Sequence, residues 1–208
     1  MDVYEAIEKR RTIRVFKQGA SSEQLRKIIL AGTKASSGSN SQPWEFIIID
    51  DQKIIDQIAE LKYQNNRRRL LGGLAKLYAN VAEPDMSTIE EMALIQKKAY
   101  QNASIIAVVC NQPGLGPIAS MWLCIANIWL AAVTEGLGCL PSTFPPSPSP
   151  GKGRAKVEKI LGLPKGHKLI TVLVVGVPGE EGYPRDKNPW ASKRQEFSWL
   201  HKNKFGEN

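Results

Sequence analysis

The sequence predicts a domain of both α and β structure, because two kinds of apolar pattern take turns along it. Stripes of helical period recur, as at Ile54, Ile55, Ile58 and Leu61. Between them stand β-branched runs, of which Ser104–Cys110 (SIIAVVC) and Leu169–Val177 (LITVLVVGV) are the plainest. A third stretch fits neither pattern: Ser36–Trp44, SSGSNSQPW, lies between a helical stripe and a strand. Its glycine and small polar residues offer backbone N–H groups and hydroxyls to whatever lies above them. A polar connecting loop is the plain alternative.

The chain has 208 residues, 42% hydrophobic and 23% charged, a size for one substantial domain or two very small ones. Its formal charge of +8 favours anionic partners without choosing among cofactor phosphates, nucleic acid and an anionic membrane surface. The N-terminal MDVYEAIEK is an amphipathic helix with acidic residues rather than a signal peptide. Cys110, Cys124 and Cys139 form no CxxC pair and no zinc or other metal pattern, so they read as reduced thiols in a cytoplasm.

Taken in order, residues 2–10 form a first helix with Val3, Ala6 and Ile7 on one face. RRTIRVF, Arg10–Phe16, then places three guanidiniums within five residues. Arg10 and Arg14 converge whether the segment is helical or extended, while Arg11 faces elsewhere. Such a pair suits phosphate through paired, charge-assisted hydrogen bonds; a solvated basic helix end is the alternative. Ser21 and Gln24 form a capping box for a helix over about 22–34. After the polar loop, Pro43 biases Gln42 to extended backbone, the entry to a strand over 44–50.

A helix covers Asp51–Leu61, and the run Arg67–Arg69 reads as a solvated face. Pro84 interrupts, and Ser87 with Glu90 would cap a helix reaching about Tyr100. Beyond the strand Ser104–Cys110 and a turn at Asn111–Gly114, Ile118–Val133 is apolar almost throughout. It falls slightly short of the roughly 20 residues of a membrane span and contains Ser120 and Asn127, so it reads as a buried soluble helix, in a core or an interface. Gly136 suits a left-handed helix cap. The proline run Pro145–Pro150 reads as a stiff surface segment. Gly151-Lys152-Gly153 lacks the spacing of a phosphate loop. Arg154–Leu161 is a short helix before the last strand. From Pro178 the chain is polar and basic, with Lys187, Lys193 and Arg194, either disordered or an arm laid over another surface.

Four features stand in a fixed order: RRTIRVF, SSGSNSQPW, an apolar helix ending in GLG, and LGLP (Leu161–Pro164) before a strand ending in VVGVP. Over nearly the whole chain this order resembles the FMN-dependent nitroreductase family. The resemblance implies an α+β fold with a central mixed or antiparallel sheet wrapped by helices. It implies a single domain over 1–208 in an intertwined homodimer, with about 178–208 as an arm onto the partner and the long helix at the interface. By the family's motifs, Arg10 and Arg14 would hold the FMN phosphate and the O2 edge of the flavin, with Thr12 in place of a serine, and Arg11, at the second position, would also reach the flavin. Ser36, Ser37, Gly38, Ser39 and Asn40 would lie along the flavin of the other subunit, Ser36 replacing a proline. Backbone N–H groups near Pro141, Ser142 and Thr143 would face flavin N5 and O4, although the Thr143-Phe144 pair and the proline run depart from members with Glu-Gly there. Arg194, with Lys193 second, would return to the phosphate.

The resemblance further implies hydride delivery from NADH or NADPH to the flavin and two-electron transfer to a nitroaromatic, quinone or similar small acceptor, without a protein acid or base. His167 and His201 match no motif, and Trp122 and Trp129 read as core or dimer interface. One rival keeps the flavin and changes the reaction, to carbon–halogen cleavage, flavin fragmentation or ring oxidation, with Tyr63–Ser87 as a possible lid. A second is a nucleic-acid binder using Arg10–Arg14 and Arg67–Arg69, without a recognised binding motif in its support. A third attaches the long helix to a membrane.

Overall fold

A computed structural model of the chain describes residues 1–74, 85–112, 114–144 and 153–179. The proline run, Gly151-Lys152, the tail from 180 onward and most of the second half of the suggested lid lie outside the described residues.

The sheet is organised on its last strand, β5 (Lys168–Pro178), which pairs antiparallel with β1 (Phe16–Gly19), β3 (Ser104–Cys110) and β4 (Gly138–Ser142). β2 (Trp44–Ile49) extends the sheet from β3 in unbroken antiparallel register, Trp44 opposite Cys110 and Ile49 opposite Ile105. The order is β1-β5-β3-β2, with β4 also on β5. One parallel bridge, Thr12 with Cys139, joins the segment before β1 to β4.

Both faces of this sheet are covered. Ile105 and Ala107 of β3 point to one side, with Ile55 and Ile58 of α3 (Gln52–Arg69), Tyr100, and Val157 of α6 (Gly153–Ile160). Ile106, Val108 and Cys110 point to the other side, with Leu25 and Ile28 of α2 (Ser22–Gly32) and with Met121, Cys124, Ile125 and Ile128 of α5 (Leu115–Thr134). Burial on both faces is why β3 and β5 read as continuous apolar runs rather than alternating ones. Each fully buried isoleucine contributes about 1.5–3 kcal/mol.

The helix starts follow side-chain caps. Asp2 with Glu5 opens α1 (Val3–Lys9), and Ser21 with Gln24 opens α2 through the expected reciprocal pair at 3.2 and 3.0 Å. α4 (Met86–Lys98) corrects the sequence reading, because its cap is Asp85, which accepts from Thr88 N at 2.7 Å, and not Ser87. Glu90 is drawn away from that helix start by Tyr63 and Arg67 of α3, so no box with Ser87 forms. α3 runs on past Leu61 to Arg69, and α4 packs along this extension through Tyr63 and Met92. Gly136 takes φ +74° as the cap after α5, as expected.

α5 packs on α2 so closely that a Cβ on Gly32 would stand 2.4 Å from Ile128 Cγ1. Its buried row is Ser120, Met121, Cys124, Ile125, Ile128 and Ala132, spaced for one helix face. The opposite row is apolar and uncovered: Leu115, Trp122 and Leu123 are 88%, 41% and 50% exposed. A helix buried all round is therefore not what one chain provides. By length and composition alone α5 could also cross a membrane.

Candidate functional site

α1 stops at Arg10, where the backbone leaves helical geometry, and the chain then runs beside β4. Ile13 N donates to Cys139 O at 3.3 Å. Gly138 permits this approach, since a Cβ there would meet Ile13 Cγ1 at 2.6 Å. The arginine segment and the strand ending at Ser142, two parts of the sequence-predicted site more than 120 residues apart, thus lie side by side. Arg10, Arg11, Thr12 and Arg14 are all half-buried. Arg10 places its guanidinium carbon 4.4 Å from the centre of the Trp129 ring. Trp129 Nε1 is buried with no hydrogen-bond partner among the described residues. Arg11 faces away from the other arginines, turning back to donate to Arg10 O at 2.6 Å and to Glu8 O.

β4 ends with Pro141 half-buried, Ser142 buried and Thr143 exposed. The Ser142 hydroxyl accepts from Tyr100 OH at 2.8 Å, and burial drives the Tyr100 phenol well above its usual range. Beneath Thr143 lies Lys62 of α3, only 6% exposed, whose Nζ donates to Thr143 O at 2.9 Å and stands 5.4 Å from the Phe144 ring centre. Burial, then the charges of Arg69 and Arg14, pull the Lys62 ammonium down from 10.5 to about 8. Arg69 of the same helix and Arg14 of the segment beside β4 thus both act on the Lys62 charge, and among the described residues no carboxylate is found to offset them.

Lys62 escapes a motif-based reading, yet its row carries the signal. Ile55, Ile58, Lys62 and Asn65 share the buried face of α3, so a lysine and an asparagine occupy core positions of an amphipathic helix. Arg69 lies about two turns further along the same face, near 20° away in rotation. The run Arg67–Arg69 thus divides: Arg68 and Arg69 are exposed, as a solvated face would be, but Arg67 turns inward to Glu90.

The Ser36–Asn40 loop lies elsewhere. Gly38 N donates to Ser120 Oγ at 3.4 Å, and Gln112 Nε2 donates to Ser41 O at 3.4 Å, so the loop sits at the start of α5. Arg10 sits nine residues further along that helix, over Trp129, about 14 Å away at 1.5 Å per residue. Within one chain the loop and the arginines are not brought together. The loop itself is strained: Ser39, Asn40 and Gln42 take φ of +52°, +53° and +45°. The expectation that Pro43 holds Gln42 extended is therefore corrected. Gln42 N donates to Ser37 Oγ at 3.0 Å and its Nε2 donates to Asn40 Oδ1 at 3.2 Å, contacts that hold the residue in the left-handed region.

His167 is a loop residue before β5, as expected, with Nε2 3.5 Å from Glu45 Oε2. Lys193, Arg194 and His201 lie outside the described residues. Among the described residues no cluster of His, Cys, Asp and Glu is arranged to hold a metal. An open groove of about 530 Å³ between α3 and α6, with Leu61 and Ile160 among charged residues such as Asp56, Glu60, Lys156 and Lys159, includes none of the sequence-predicted site residues.

The family profile described as Nitroreductase family matches residues 7–177. This chain belongs to the nitroreductase family. It is 27% identical over 190 residues to the iodotyrosine deiodinase of Thermotoga neapolitana, covering 89% of this chain and 94% of the relative. It is 26% identical over 199 residues to an NADH dehydrogenase of Thermus thermophilus, covering 91% and 93%. It spans 63% of the length of the mouse iodotyrosine deiodinase 1. A solved structure of oxidised iodotyrosine deiodinase bound to FMN and 3-iodo-L-tyrosine superposes with a TM-score of 0.65 at 26% identity, covering 88% of this chain and 94% of that one. The curled antiparallel sheet with helices on both faces is the α+β nitroreductase fold, and family membership makes the protein an oxidoreductase of the flavoprotein class.

Proposed function

We propose that this nitroreductase-family protein binds FMN and passes electrons from NADH or NADPH through the flavin to a nitroaromatic, quinone or similar small acceptor. The observation that carries this reading is the Thr12–Cys139 bridge, which sets Arg10–Arg14 beside the end of β4. The donor set fits the group. Arg10 and Arg14 offer guanidiniums to a phosphate or to the O2 edge of a flavin, Trp129 Nε1 is a buried donor awaiting an acceptor, and Lys62 adds a cation below Thr143. Arg11 and Thr12 support the same segment, and the late cation is assigned to Arg194 with Lys193 second.

Bound FMN would supply the hydride chemistry, and the protein would supply position and charge. Arg14 would favour negative charge on the reduced ring. The backbone near Pro141, Ser142 and Thr143 would meet the reacting edge. Ser36, Ser37, Gly38, Ser39 and Asn40 would reach the flavin of a second copy, because in their own chain they lie near Ser120, away from the arginines. The reading is therefore a homodimer closed over the uncovered face of α5, with residues 1–208 as one domain and the basic C-terminal arm laid on the partner, in the cytoplasm.

The likeness to iodotyrosine deiodinases favours a second reading, reductive removal of halogen from an aromatic substrate at the same flavin. Visible spectra of the purified protein under anaerobic conditions test both. Bleaching of bound flavin by NADH or NADPH, and reoxidation by a nitroaromatic or quinone, supports the first. Flavin that resists nicotinamides, reduces with dithionite and is reoxidised by a halophenol supports the second. A protein that takes up no added FMN defeats both.

A further inference from the structure

We propose that Lys62 is a positioning residue of this site: it fixes the Thr143–Phe144 peptide at the end of β4 and holds a proton-exchanging positive charge beneath it, matched to a bound group that turns anionic. The inference rests on the flavin reading above and assigns a role to a helix that no sequence motif marks.

The geometry comes first. Lys62 Nζ donates to Thr143 O at 2.9 Å, so that carbonyl points into the protein. A trans peptide sets its C=O and N–H on opposite sides, so the Phe144 N–H is directed away from Lys62. The ammonium also polarises this peptide and makes its N–H a stronger donor. Thr143 itself is exposed while Ser142 and Phe144 are buried, so the peptide lies at the boundary between the core and the site.

The charges around Lys62 then decide how it responds. Arg69 comes from its own helix and Arg14 from the segment beside β4. From the turn after α4, the Tyr100 phenol is bound to Ser142 and stays neutral. On α4, Glu90 is engaged by Tyr63 and Arg67, and Lys97 by Glu60. On α6, Arg154 and Glu158 face each other at 3.5 Å. Burial first, and then the charges of Arg69 and Arg14, thus let Lys62 hold its proton only to about pH 8. An anion arriving over Thr143 reverses that balance and draws a proton onto Nζ.

For a flavin the step balances as follows. A bound flavin would take two electrons and one proton as hydride from a nicotinamide, which would be oxidised, and would gain one negative charge. Lys62 Nζ would take a second proton from water. Between about pH 8 and 9, more than one proton would then accompany two electrons, where a site without such a group takes up one.

The experiment is a potentiometric titration of the FMN-loaded full-length protein from pH 7 to 9.5, for wild type, Lys62→Met and Lys62→Arg, with FMN affinity measured in parallel. The wild-type midpoint potential is expected to steepen between about pH 8 and 9, to about one and a half times the slope below, and to flatten again above that window. Both variants keep the shallow slope throughout. Lys62→Met also loses about tenfold in its preference for reduced over oxidised FMN, one pKa unit of interaction, while Lys62→Arg retains it. Lys62→Arg keeps a charge in place if Lys62→Met does not fold. A wild-type slope that stays shallow, or a Lys62→Met slope equal to wild type, overturns the inference while FMN binding stands. A protein that takes up no FMN overturns the function reading, and this inference with it.

Discussion

Replacing Lys62 by methionine makes the cost of its burial measurable in the ligand-free protein. The folded chain holds this proton to about pH 8, an unfolded lysine to 10.5. Between those values the unfolded chain binds more protons, so stability rises with pH through that window. The gap is worth about 3 kcal/mol, carried in full below pH 8 and gone above 10.5. Lys62→Met removes this cost and keeps an apolar stem of similar reach. It also deprives Thr143 O of its donor, which costs about 1–3 kcal/mol at every pH. At pH 7 the variant is the more stable by about 0–2 kcal/mol, and by pH 10, where about 1 kcal/mol of the burial cost still remains, it is the less stable by up to about 2 kcal/mol. Urea unfolding followed by tryptophan fluorescence, at one protein concentration and at pH 7, 8, 9 and 10, gives the difference directly. A difference that stays flat across these pH values refutes the reasoning, because a titrating lysine buried beneath Thr143 cannot leave it flat.

Three further outcomes follow from the packing and the charges. Gly32→Ala puts a Cβ 2.4 Å from Ile128 Cγ1 and 3.1 Å from Cys124 Sγ, and overpacking the α2–α5 contact should cost about 1–3 kcal/mol, read by calorimetry as a fall of several degrees in Tm. Trp122→Glu places a charge on the uncovered face of α5; sedimentation should show monomers that hold FMN poorly, and an unchanged dimer would remove this face from the interface. Arg14→Ala should weaken FMN binding about tenfold or more, read from the recovery of flavin fluorescence, and unchanged affinity would remove Arg14 from the site.

What could be read from the sequence, and what could not, follows from where each element finds its stability. β3 and β5 declare themselves because both of their faces are buried, so nearly every inner position carries an apolar side chain, the buried Thr171 being an exception. β1, four residues of sequence FKQG, and β4, five residues of sequence GCLPS, give no such sign. Their ladders are supplied by β5, far along the chain, and a local pattern cannot encode a distant partner. The arginines of the site were legible as a charge cluster. Lys62 was legible only as a misplaced residue in a stripe of isoleucines, and its meaning depended on Thr143, 81 residues away. α5 presents the same difficulty on a larger scale. Its sequence is apolar on every side, yet one chain covers only one row and leaves Trp122 and Leu123 exposed. The polar loop sits at the start of that helix and Arg10 over Trp129 further along, about 14 Å apart in one chain. If the proposed homodimer pairs two copies of α5 about a two-fold axis in antiparallel fashion, the start of each helix would lie beside the end of the other. Under the proposed function, the uncovered apolar row and the separated loop and arginines would then be met by the same partner, a second copy of this chain.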